Sequence, residues 1–297
     1  MKLALLRLAH RCGDFRNLLA FSLWPLRSST TTIEASELNQ GGFGPEAAPK
    51  VIKLEMWGGS SVGSGGWCWG GARRLAHHFR KFGPSRVTLK LDEARADRGE
   101  REWGSLDVLE LGSGTGALGL VAAALGARSV TLTDQASFVF PGRAAAKLAE
   151  GRSLLDLMRL NSKSNGDSDS VVVRELLFGD AAMMALLPHK TYGLICASDI
   201  LLFSSAHIAL DSTLRSLSDK DTVVLIEHTD RETANGGEYP VDMMAFFKVL
   251  EVGGIWTPTI IRDHGRHLTV RMLRTKEGEV PFVVGDMAAR SSSSSWT

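Results

Sequence analysis

The densest chemical signal in the chain is Glu110-Leu111-Gly112-Ser113-Gly114-Thr115-Gly116. Closely spaced glycines let a backbone turn with positive φ and let a ligand approach where no Cβ stands in the way. The apolar run Leu106–Leu111 leads into the motif and the Ala- and Leu-rich run Ala117–Leu125 leads out. That order predicts a buried strand, a tight turn and a helix. The helix start is expected to leave backbone N–H groups open toward a crevice. Asp134 lies 22 residues beyond Gly112, at the end of the β-branched run Ser129–Thr133. A carboxylate there can accept hydrogen bonds from both hydroxyls of a ribose. The pair of features predicts a nucleoside-bearing cofactor, with Gly112, Ser113, Gly114 and Gly116 forming its loop. Gly112-x-Gly114-x-x-Ala117 also fits the dinucleotide fingerprint. Glu110, two residues before the first glycine, would offset the amino and sulfonium cations of S-adenosyl-L-methionine and would sit poorly beside a pyrophosphate. The choice therefore falls on S-adenosylmethionine, the structural alternative being that Glu110 turns away or caps the loop.

The elements that must position these residues follow from periodicity. Strands are expected at 106–111, 129–133, 171–176, 192–197, 222–227, 255–261 and 268–273. Helices are expected near 72–81, 117–125, 154–161 and 241–252. Strands alternating with helices predict an α/β chain with a doubly wound, Rossmann-like sheet covered on both faces. The final two strands have no helix between them and are expected to pair antiparallel.

Residues 1–50 read as an N-terminal extension and linker, 51–285 as one domain and 286–297 as a low-complexity tail. Residues 1–33 carry Lys2, Arg7, Arg11, Arg16 and Arg27 against Asp14 alone, with hydroxyls from Ser28 to Thr32. That is the make-up of an organellar transit peptide, and equally of a loosely docked extension. An intracellular protein, cytoplasmic or organellar, is expected. The 297 residues are 44% hydrophobic with a formal net charge of +1, ample for a core and without a field that would draw nucleic acid or an anionic membrane. No apolar run reaches the roughly 20 residues of a membrane helix. Cys12, Cys68 and Cys196 are widely spaced and odd in number, so neither a disulfide framework nor a zinc site is indicated.

Several segments in order resemble the seven-strand methyltransferases, and within them the lysine methyltransferase group called methyltransferase family 16. Gly66-Trp67-Cys68-Trp69 followed by Ala72-Arg73-Arg74-Leu75-Ala76 is similar to the group's opening segment. Residues 109–119 resemble its cofactor loop, 132–135 the end of its second strand, and Asn161 with Asn165 its Asn-x-x-x-Asn element. Residues 175–180 and 192–200 resemble two further motifs, so the likeness runs from about Gly65 to Arg274. The resemblance implies S-adenosylmethionine as cofactor, a protein substrate and methyl transfer to a lysine side chain. It implies cofactor contacts at Trp69, Gly112, Gly114, Asp134, Phe178 and Ser198, and a substrate-facing acid at Asp199. The chain departs from the pattern in three places. Phe203 stands one position late after Asp199, Phe178 replaces a tryptophan, and the 27 residues from Asp134 to Asn161 make 136–152 look like an insertion.

Three function classes stay open at this level: a protein lysine methyltransferase, a methyltransferase for a small molecule or RNA, and a binding module that keeps the fold without the chemistry. Asp199 is assigned to orienting the incoming amine, the bland alternative being a cap on the next helix. His77 and His78 are adjacent on a helix and are expected to be solvated or packed. Glu227-His228-x-Asp230-Arg231 either lines the substrate cleft or is a polar loop. His264 and His267 flank the last turn and are expected to be exposed.

Overall fold

The computed structural model describes residues 28–33, 51–57, 63–88, 102–136, 153–166, 169–229, 241–263, 267–275 and 282–284. Residues 1–27 and 34–50 of the expected extension and linker, residues 137–152 of the expected insertion, and the tail 286–297 lie outside the described residues. Among the described residues nine strands run in chain order: β1 (Ser28–Ile33), β2 (Ile52–Trp57), β3 (Asp107–Leu111), β4 (Ser129–Asp134), β5 (Val171–Glu175), β6 (Leu194–Ser198), β7 (Val223–Thr229), β8 (Trp256–Asp263) and β9 (His267–Arg274). The helices are α1 (Gly70–Thr88), α2 (Ala117–Ala124), α3 (Leu154–Ser164), α4 (Ala181–Ala185), α5 (His207–Ser216) and α6 (Val241–Gly253).

All seven expected strands form one sheet, in the order β5-β4-β3-β6-β7-β9-β8. β3 to β7 are parallel, and β9 lies antiparallel between β7 and β8. The chain builds outward from β3 to β4 and β5, then returns to lay β6 on the other side of β3. The crevice at such a reversal, outside the carboxyl ends of the strands, is where open α/β sheets bind ligands. Strand alternation sorts the core into two layers. Val108, Val130, Leu194, Cys196 and Leu225 meet α1, α2 and α3 on one face. Leu109, Leu111, Ile195, Ala197 and Val224 meet α4, α5 and α6 on the other. Burial on both faces explains why these strands read as continuous apolar runs.

The linker reading of 28–50 is corrected at its start. Ser28–Ile33 pairs antiparallel with Ile52–Trp57, and Ile33, Ile52 and Leu54 enter the α1–α3 core layer. The run of threonines is β-branched and suits a strand, although as a string of hydroxyls it resembles a loop. Helices α4 and α5 were not expected from periodicity. α5 buries His207, Leu210, Asp211, Thr213 and Leu214, a helical spacing hidden by three polar members. Asp211 is held by Trp256 Nε1 at 2.8 Å and Arg215 Nε at 2.7 Å. Among the described residues no helix is long and apolar enough to cross a membrane.

Helix α2 lies so close to β4 that a Cβ on Gly119 would run into Leu132 Cδ2 and stand 2.8 Å from Val130 Cγ1. Gly119→Ala is therefore expected to cost about 1–3 kcal/mol through overpacking. Thermal unfolding checks it: each kcal/mol lowers the melting temperature by roughly 2–4 °C in a domain of this size.

Candidate active site

The glycine loop follows directly from β3. Gly112, Gly114 and Gly116 have φ of 60°, 54° and 79°, a region costly for side-chain-bearing residues. The close approaches are as demanding: a Cβ on Gly112 would stand 2.7 Å from Ile200 Cγ2, and one on Gly114 2.6 Å from the Gly65 carbonyl. Gly116 is the N-cap of α2 and offers no capping side chain. Glu110 supplies the cap from below. Its carboxylate accepts the Gly119 N–H at 2.8 Å and the Leu118 N–H at 3.3 Å.

This corrects the expectation that Glu110 faces the cofactor's cations and that the helix start leaves all its N–H groups to the crevice. Glu110 shares the face of Val108, which packs under α2, and it is 2% exposed. Burial pushes its carboxyl up to about 8, against the pull of the two N–H donors. Ser113 is likewise turned inward. Its hydroxyl donates to the Glu110 carbonyl at 3.0 Å and accepts the Thr133 N–H at 3.0 Å, while its N–H donates to the Thr133 carbonyl at 2.9 Å. The residue ties the loop to the end of β4, and its hydroxyl and its N–H are both used in that tie.

Asp134 closes β4 beside the loop. One carboxylate oxygen accepts the Gly114 N–H and the other the Gln135 N–H, both at 2.8 Å. These contacts use two of roughly four acceptor positions on a carboxylate. Burial raises its pKa to about 6, opposed by the two N–H bonds. Beyond β5, the Leu176 N–H donates to the Asp134 carbonyl at 3.0 Å, which brings the 175–180 segment alongside. Phe178 there is half-buried against the second core layer. Gly179 is pinned to α5, its N–H donating to Thr213 Oγ1 at 2.8 Å.

On the other side of the chain reversal, Ser198 ends β6 opposite Glu227. Asp199 follows with φ 53°, the one positive-φ non-glycine among the described residues. Its N–H donates to the Glu227 carbonyl at 2.8 Å and its carboxylate accepts the Thr229 N–H at 2.9 Å. Asp199 does not cap the next helix: the cap positions there are Phe203 and Ala206. The second Asp199 oxygen is turned to the start of α1, where a Cβ on Gly71 would stand 2.5 Å away. Trp69 precedes α1 and is half-buried.

Glu227 is buried and paired. Arg74 Nε donates to it at 2.6 Å, Arg74 Nη2 donates to Thr229 Oγ1 at 2.6 Å, and the Thr269 hydroxyl donates to the other Glu227 oxygen. His228 is fully buried, while Asp230, Arg231 and His264 lie outside the described residues. His77 is exposed and His78 buried, with its pKa lowered to about 4 by burial and by the surrounding cations Arg262, Arg271 and Lys81.

The structure thus gathers Gly112, Gly114 and Asp134 on one side and Ser198 and Asp199 on the other, bridged where Ile200 overlies Gly112. It adds Gly65, Gly71, Arg74 and Ile200, to which motif reading assigned no site role. The glycine-rich stretch 63–71 held the signal for the first two, since each of those glycines marks a backbone contact with the site.

A family model described as lysine methyltransferase matches residues 49–239. The protein N-lysine methyltransferase METTL21A of Danio rerio is 36% identical over 165 residues, 52% of this chain and 64% of that protein. Its Xenopus tropicalis counterpart is 34% identical over 122 residues, 40% of this chain and 47% of that protein. The matched part therefore spans less than two-thirds of the length of either relative. A solved O-methyltransferase of Bacillus cereus in complex with SAH is 17% identical with a TM-score of 0.43, covering 59% of this chain and 76% of that one.

The raised carboxyl of Glu110 has a consequence for stability. The folded chain holds a proton there that the unfolded chain releases near 4.5, so stability falls as pH rises from about 4.5 to about 8. Glu110→Gln removes that share of the slope. Urea unfolding of both proteins at pH 5 and pH 8 checks this, and a wild-type loss no larger than the variant's contradicts it.

Proposed function

The chain belongs to the lysine methyltransferase family, and we propose on that basis that it transfers a methyl group from S-adenosylmethionine to a lysine side chain of a protein. The observation that carries the reading is the pairing, across one chain reversal, of a left-handed glycine loop flanked by Asp134 with a second carboxylate, Asp199. The N-lysine methyltransferase names of the two curated relatives support the same substrate class.

The residues fit the cofactor. Gly112 and Gly114 keep the loop free of Cβ atoms, and Asp134 has acceptor capacity left for the two ribose hydroxyls. Phe178 offers an aromatic face for the adenine, and Trp69 and Ser198 are the further cofactor contacts that the family resemblance implies. Glu110 and Ser113 serve the site indirectly, by holding α2 and the loop in place. When bound, S-adenosylmethionine supplies an electrophilic methyl group for in-line displacement by a neutral amine.

Asp199 binds and aims the lysine. A lysine amine has a pKa of about 10.4 in water and must lose its proton before it can attack. A nearby carboxylate favours the cation, whereas an apolar surround favours the neutral amine. The role assigned to Asp199 is therefore orientation of the incoming ammonium, with deprotonation left to water at the site mouth. Holding the amine in line supplies much of the acceleration. Arg74 balances the charge of Glu227, so that acid does not compete for the amine.

Calorimetry of S-adenosylmethionine binding tests the cofactor half. Asp134→Ala is expected to weaken binding by roughly ten- to a hundredfold, the worth of hydrogen bonds to a charged group; a folded wild type that binds none sinks the reading. For the substrate half, labelled cofactor in lysate should leave protease-sensitive, ribonuclease-resistant label. Asp199→Asn should lower kcat/KM by about tenfold or more, the share of one charge-assisted contact. Unchanged turnover in that variant removes the assignment.

A further inference from the structure

The glycine loop is held from a third side. Asn161 lies in the last turn of α3 and Asn165 is the C-cap that follows it, four residues on, so their side chains leave the same side. Asn161 Oδ1 accepts the Glu55 N–H at 2.7 Å, and Asn161 Nδ2 donates to the Glu55 carbonyl at 3.1 Å. Asn165 repeats the pattern two residues earlier: it accepts the Lys53 N–H at 2.9 Å and donates to the Lys53 carbonyl at 2.8 Å. Lys53 and Glu55 are alternate residues of β2, whose backbone groups point away from β1. The two side-chain amides therefore occupy that edge of β2 as a neighbouring strand would.

Asn161 does one thing more. Its Nδ2 also donates to the Thr115 carbonyl, at 2.9 Å. Thr115 sits inside the Gly112–Gly116 loop and is 2% exposed, and Asn161 is fully buried. A side-chain amide has two hydrogens; here one goes to the hairpin and the other to the loop. A second contact runs parallel to it. Beyond β2 the chain returns across the loop, putting the Gly65 carbonyl against Gly114, while Leu154 at the start of α3 closes on Gly65.

We propose that Asn161 is a positioning residue for the cofactor loop, and that docking of the β1–β2 hairpin and occupancy of the crevice are one coupled equilibrium. The second half rests on the cofactor reading above. Coupling between binding events is reciprocal: a docked hairpin steadies the loop for the ligand, and a bound ligand steadies the hairpin. Asn165 reaches the hairpin and the Asn161 carbonyl at 2.7 Å, with no bond to the loop, so it acts on the loop only through its neighbour.

The test uses the full chain as wild type, Asn161→Asp and Asn165→Ala, in hydrogen exchange and in cofactor titration. Asn161→Asp keeps the side-chain volume and the acceptor for Glu55, and turns an oxygen toward two carbonyls. Without ligand, loop amides from Gly114 to Leu118 should exchange about tenfold faster in this variant, the size of one lost buried hydrogen bond. The cofactor KM should rise by about the same factor with kcat retained. Asn165→Ala should speed exchange at Lys53 and Glu55, with a smaller change in KM. In the wild type, added S-adenosylmethionine should slow exchange at the Glu55 amide. A folded Asn161→Asp with wild-type loop exchange overturns the positioning role. A Glu55 amide indifferent to bound cofactor overturns the coupling, and this arm needs no variant that must fold. A wild type that binds no cofactor fails the functional reading and overturns the coupling with it, while ligand-free loop exchange still decides the role of Asn161.

Discussion

Helix α2 begins at a glycine and so has no side chain of its own to close its first turn, and the carboxylate of Glu110 does this from the strand beneath. Much of the cofactor side depends on that contact. The carboxylate can reach the Gly119 N–H at 2.8 Å only because α2 rides low on the sheet. It rides low only because position 119 carries no Cβ. With the helix start satisfied from below, the loop above needs no capping residue and can be built of glycines in left-handed conformation. An acid in such a place is expensive to ionise, and its carboxyl is raised to about 8 accordingly.

The two sides of the crevice are held by different means. On the β4 side the loop is tied by short contacts among neighbours: Ser113 to Thr133, Asp134 to Gly114, Asn161 to Thr115. On the β6 side the geometry is set by a strained backbone. Asp199 takes a positive φ, of the kind that persists where surrounding contacts over-determine it. Its carboxylate is then anchored on the Thr229 N–H of the adjacent strand. The glycine at position 71 lets α1 start against that carboxylate and beside Glu227, which Arg74 pairs.

The inner strands β3, β6 and β7 were legible because burial on both faces makes each a short, largely apolar run, and the outer ones by their β-branched residues between turn signals. The loop and Asp134 were legible because glycine and acid stand at spacings that few other demands impose. Four features were hidden for identifiable reasons. Ser28–Ile33 reads as a hydroxyl-rich linker, since a partly exposed threonine strand has the composition of a loop. α5 reads as nothing regular, because His207, Asp211 and Thr213 occupy positions where an apolar side chain would have revealed the period. The direction of Glu110 was open in the motif, which gives type and spacing only. It is settled by strand parity, since Glu110 must share the face of Val108 and hence lie under α2. The roles of Asn161 and Asn165 required knowing that β2 runs beside α3, a contact between segments more than a hundred residues apart.

The antiparallel insertion of β9 between β7 and β8 has a consequence for how the molecule comes together. β8 has one neighbour in the sheet, and that neighbour follows it in the chain. As the chain leaves the ribosome, β3 to β7 can assemble from the units already made, but the outer edge of β7 stays open until His267–Arg274 has emerged. Until then β7 offers a flat apolar row of unpaired backbone groups, the kind of edge on which chains join to one another. β9 both seals the sheet and recruits β8 to it. The region most remote from the cofactor loop therefore governs whether the finished molecule is reached before it meets another copy of itself.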